Sequence, residues 1–154
     1  MEKQHAAGIQ DILRVSSLVL VVGFLLNLIW ENAQAPLYEG YKGFYGHFWL
    51  CFVAAVVDAL VILLLYLLFL VYSQHLYWPL AAGFWQRLLL VIAGVLLAVW
   101  FEKWALNVEQ WGYAEAMPII PILDIGLLPV LQLMFLPFAT FWVSMHVARA
   151  NLAR

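Results

Sequence analysis

Long apolar runs alternate with short polar knots along this chain, and the runs have the length of membrane spans. Val15 to Trp30 is almost wholly apolar, and Phe48 to Tyr72 is the longest run. Leu88 to Ala105 follows after a mixed connector, and Ile122 to Val147 closes the series. A helix of about 20 apolar residues, rising about 1.5 Å per residue, crosses the roughly 30 Å hydrocarbon core of a bilayer. The pattern predicts an all-α, polytopic integral membrane protein. It has one domain over 1–154 and four transmembrane helices at about 15–30, 48–72, 86–105 and 122–147, packed as a compact bundle.

Two stretches qualify this pattern. Ala33-Gln34-Ala35 has the small-x-small form of a signal-peptide cleavage site. The run before it is long for a signal sequence and carries Asn27 and Trp30, so it reads as the first span. Ser73 to Arg87, with Pro79 and Gly83, is a connector whose Leu76, Tyr77, Trp78, Phe84 and Trp85 suit the membrane interface.

Composition agrees with lipid as the main solvent. Of 154 residues, 67% are hydrophobic and 10% charged, against about 25% charged in soluble domains; mean hydropathy is +0.95. A soluble domain of this size leaves too much surface in water to hide so many apolar side chains. The net charge is −2 and no basic run occurs, so no nucleic-acid partner is expected. Cys51 is the single cysteine, which rules out a disulfide or a cysteine-based metal site within one chain.

Charge placement sets the expected orientation. With four spans, Lys3, Arg14, Arg87, Arg149 and Arg154 share one side, while the other holds Lys42 and Lys103. The positive-inside rule then puts both termini in the cytoplasm, and a bacterial inner (plasma) membrane is the expected location. The opposite side would carry two polar-aromatic loops, Glu31 to His47 and Asn107 to Pro121, forming one mouth over the bundle.

Chemistry is expected at that mouth. Asn27, Trp30, Glu31 and Gln34 recur at i, i+3, i+4 and i+7, which aligns them on one helix face. Asp58 interrupts the second run near mid-membrane, where an aspartate costs on the order of 3 kcal/mol and needs a partner or a cavity. Gln132, ten residues into the fourth run, is its natural partner. Glu102 ends the third run at the level of Glu31, so the two could act as acid and base, with Asp58 as a buried support. Trp30, Tyr38, Trp104, Trp111 and Tyr113 would wall a ligand, although an aromatic belt alone explains most interfacial tryptophans. Pro129 and Pro137 each remove a helix hydrogen bond, freeing the carbonyls of Ile125 and Leu133. A Glu31–His47–Glu102 metal site would lack any i, i+4 ligand pair, so no metal is expected, and nothing in the sequence names a cofactor.

Trp111-Gly112-Tyr113, Pro118 and Ile125-Gly126-Leu127-Leu128-Pro129 look like the Trp-x-Tyr…Gly-x-Pro pattern of the small membrane-bound lycopene cyclases. The likeness covers about twenty residues. In those cyclases paired glutamates follow the proline; here Val130, Leu131 and Gln132 stand there. The resemblance implies an isoprenoid-sized ligand, without membership of the family.

Three functions remain open at this point. One is an enzyme acting by acid–base chemistry on a lipid or isoprenoid at the outer face. The second is a small proton-linked carrier or ligand-binding protein, which would need a homo-oligomer for volume. The third is an assembly subunit whose polar residues only clamp helices. An elongated cavity lined by Glu31 and Glu102, a wet path to Asp58, or a closed bundle would separate them.

Overall fold

In the computed structural model, which describes residues 8–152, the four runs become four long helices. They are α1 (Ile9–Gln34), α2 (Gly43–Ser73), α4 (Phe84–Asn107) and α5 (Leu127–Leu152). A single-turn helix, α3 (Trp78–Ala81), interrupts the connector between α2 and α4. Each long helix is long and apolar enough to cross a membrane. Lys3 and Arg154, both counted in the charge asymmetry, lie outside the described residues.

The helices pack in the spatial order α2, α1, α5, α4, with α1 and α5 forming the central seam. A four-residue spacing marks that seam on both sides. Val15, Val19, Gly23 and Asn27 are buried on α1, and Gln132, Leu136, Thr140, Ser144 and Ala148 are buried on α5. On α4 the matching stripe is Leu90, Gly94, Ala98, Glu102 and Ala105. The small residues matter because they let the helix backbones approach closely. Gly94 is the clearest case. A Cβ at that position would collide with the carbonyl oxygen of Leu133, the group that Pro137 leaves without its helical N–H partner.

The fourth run does not begin as a helix. Ile119–Ile120 (β1) and Ile125–Gly126 (β2) form a small antiparallel hairpin, pairing Ile119 with Gly126 and Ile120 with Ile125. Asp124 takes a left-handed backbone conformation (φ 49°) in its turn. The helix expected from residue 122 therefore starts at Leu127. Pro129 sits in its first turn, where the missing N–H has no helical partner anyway, so it breaks nothing. Pro137 alone interrupts α5.

The connector is not an interfacial segment throughout. Trp78 is only 2% exposed, folded under the bundle against Tyr66, Phe69 and Phe141. Its indole donates to the Tyr66 carbonyl (3.2 Å), and the Tyr66 hydroxyl donates to the Leu76 carbonyl (2.8 Å). Phe84 and Trp85 do face outward.

Candidate functional site

The end of α1, the first half of α2 and the start of α5 bring five polar side chains together inside the apolar bundle. Asn27, Gln34 and Gln132 are buried; Glu31 and Asp58 are half-buried. Helical spacing on α1 stacks Asn27, Glu31 and Gln34 on the face that meets α5. Gln132 lies five residues past the start of α5, and Asp58 occupies the middle of the 31-residue α2.

Gln132 is the hub. Its side-chain nitrogen lies 2.9 Å from Asn27 Oδ1, 2.7 Å from Glu31 Oε1 and 2.7 Å from Asp58 Oδ2. Its oxygen accepts from Gln34 Nε2 at 3.1 Å. Gln34 also donates to Glu31 Oε1 (3.0 Å) and accepts from the Trp30 indole (3.1 Å). Asn27 donates to the Gly23 carbonyl one turn back (2.8 Å). Glu31 and Asp58 thus face one nitrogen from two helices.

A second group adjoins this one. Glu102, buried near the end of α4, accepts from the Tyr113 hydroxyl and, at 3.4 Å, from the Trp111 indole. Both donors come from the loop after α4, which is strapped to the turn that follows α1. Glu39 N donates to Gly112 O (2.9 Å) and Ala114 N to Leu37 O (3.0 Å). Tyr38 rests against Trp111 and Tyr113, with ring centroids 6.1 and 5.7 Å apart. Gly126 makes room for Tyr113: a Cβ there would come within 3.2 Å of the ring. Burial holds the Tyr38 hydroxyl far above the ordinary range, with Glu102 and Glu31 adding to the effect. Burial, then the bond to Glu102, does the same for Tyr113.

The expected residues thus divide. Asn27, Trp30, Glu31, Gln34, Asp58 and Gln132 form one connected network, and Glu102, Trp111, Tyr113 and Tyr38 form the group beside it. Trp104 stands apart, 51% exposed among Trp100, Lys103 and Asn107 on the outer face of α4. Trp49 and Trp100 also face outward. Glu31 shares the Gln132 nitrogen with Asp58, whereas Glu102, the partner expected from level alone, bonds Trp111 and Tyr113. Cys51 joins unexpectedly, its thiol 3.6 Å from the Glu31 carbonyl. Its place on the face of α2 that carries Asp58, one turn before Ala55 and two before Asp58, is the available signal. His47 packs on Tyr41 at the rim. Two cavities among the described residues lie elsewhere and touch none of the three carboxyls.

Comparison with family models, curated proteins and solved structures gives no match to this chain.

Proposed function

We propose that the chain is an integral membrane enzyme that rearranges an isoprenoid-class lipid by acid–base chemistry at one membrane face. Its polar mouth faces away from the cytoplasm. The observation that carries this reading is the Gln132 nitrogen. An amide has two hydrogens, yet three oxygens surround this one within 2.9 Å. Gln34 supplies one further hydrogen, to Glu31 Oε1; because two carboxylates crowded on one amide resist joint ionisation, one of the pair keeps a proton and donates to the other. Glu31 and Asp58 then form an acid and a base, held in place by Gln132, Asn27 and Gln34.

Such a pair suits an uncharged apolar substrate. The acid gives its proton to a carbon–carbon double bond, and a carboxylate removes a proton from a neighbouring carbon. The step forms and breaks C–H bonds without net oxidation or reduction. Trp30 bonds Gln34 beside the pair, Trp111 and Tyr113 bond Glu102 with Tyr38 against them, and aromatic faces stabilise a developing carbocation. Glu102 holds the Tyr113–Trp111 loop and is a third carboxyl at the same mouth. The acids absent from the stretch after Pro129 stand around Gln132 from α1 and α2 instead.

The carrier reading has no supporting feature. A helix-clamping role is supported by the position of those two cavities, away from the carboxyls. Lipid extracts from cells producing the wild type, Glu31→Gln and Asp58→Asn decide between enzyme and clamp. The enzyme predicts an isoprenoid species that changes with the wild type and reverts with each variant. Identical lipid profiles for well-folded proteins would leave the clamp. For orientation, single cysteines at Gly40 and Gln74 in a Cys51→Ser background should label from opposite sides, Gly40 from outside. The reverse pattern overturns it.

A further inference from the structure

At the end of the bundle away from the mouth lies a cavity of about 430 Å³ between α3, the first turns of α4 and the second half of α5. Its walls are apolar and aromatic, including Trp78, Phe138, Phe141 and Trp142, and Arg87 contributes the one charge. Among the described residues, no carboxylate lines the cavity to neutralise that guanidinium. Trp142, 62% exposed, and the exposed Ala139 form its outer edge, so it opens sideways where a bilayer would present acyl chains. A second guanidinium, that of Arg149, lies 5.3 Å over the ring of Tyr77, next to Trp78 in the connector. This end of the molecule therefore combines a greasy slot with positive charge at its polar rim.

We infer that the slot holds one acyl chain of an anionic phospholipid whose phosphate pairs with Arg87. The volume suits a single chain. A partner helix, about 10 Å across, does not fit. The second chain of the lipid stays in the bilayer through the lateral opening. The charge complementarity selects anionic over zwitterionic headgroups, since an ammonium beside Arg87 gains nothing. The site is separate from the carboxyl cluster, so it stands or falls independently of the proposed reaction.

The test uses the full-length protein in non-ionic detergent, titrated with dioleoyl phosphatidylglycerol or dioleoyl phosphatidylcholine and read by native mass spectrometry. The phosphatidylglycerol adduct should be about five-fold more abundant, the worth of one basic side chain at an anionic surface. Arg87→Gln, at an exposed position in the first turn of α4, should bring it to the phosphatidylcholine level. Ala139→Trp should fill the slot and lower both adducts. If Ala139→Trp loses its helical circular dichroism, Leu80→Trp on the facing wall is read in the same way. Equal adducts on the wild type, a preference that survives Arg87→Gln, or binding unchanged by the filling variant would overturn the inference. So would a wild-type dimer that the filling variant abolishes while no lipid is bound.

Discussion

Three oxygens on one amide make Gln132 the residue on which the polar network depends. Gln132→Leu keeps much of the volume but leaves Asn27 Oδ1, Glu31 and Asp58 without their shared donor. Each unsatisfied buried group costs about 1–3 kcal/mol, so a loss of at least about 2 kcal/mol is expected in a detergent melt. Asp58→Asn should behave differently. Its amide oxygen still accepts from Gln132 and its nitrogen can donate to Glu31, so stability should hold or rise. A Gln132→Leu melt matching wild type, or a large drop for Asp58→Asn, would contradict this account of the network. The tyrosines make a pH prediction. Tyr38 and Tyr113 are held above their ordinary value of 10.0 in the folded protein. A proton bound more tightly in the folded state stabilises it fully below the unfolded value, and that stability is lost as pH rises through the folded one. Melting temperature should therefore decline above about pH 10, and less steeply in Tyr113→Phe. Equal slopes for the two proteins would place Tyr113 in water.

At the level of elements, close approach between α4 and α5 depends on Gly94. An added methyl would fall on the Leu133 carbonyl, and a helix backbone cannot yield as a side-chain tip can. Gly94→Ala should cost about 1–3 kcal/mol through forced separation of the two helices. Gly23 is the control. A Cβ there would meet Thr140 Cγ2 at 3.5 Å and Ala59 at 3.7 Å, ordinary contact distances. Gly23→Ala should be neutral, or gain up to about 1 kcal/mol from helix propensity. Comparable melts for the two variants would mean that the α4–α5 contact is looser than described. The number of long helices and their sequence along the chain were legible in the apolar runs, because helices whose outward faces are apolar too cannot hide their composition. Their ends were less so. Hydropathy drops at Glu31 and around Gly46, yet α1 runs on to Gln34 and α2 begins at Gly43, since a polar side chain does not stop a helix. The start of α5 was obscured in the opposite way. Ile122, Leu123 and Ile125 extend the apolar run across a hairpin whose only sequence signals are Pro121 and Asp124.

For the whole molecule, the helical order decides which polar groups meet. Spacing alone put Asn27, Glu31 and Gln34 on one face and identified Gln132 as a partner for Asp58. It could not show that α1 lies between α2 and α5, which brings Asp58 rather than Glu102 to Glu31. Nor could it separate Trp111, donating to Glu102, from Trp104 on the outer surface, because both fall at the same level of the chain. The account as a whole turns on the protonation of the Glu31–Asp58 pair. Infrared spectroscopy of the purified protein at neutral pH tests it through the C=O stretch of a protonated carboxyl. The predicted result is a band in the wild type that is lost or shifted in both Glu31→Gln and Asp58→Asn. A wild-type spectrum with no protonated-carboxyl band, or a band indifferent to both substitutions, would contradict it.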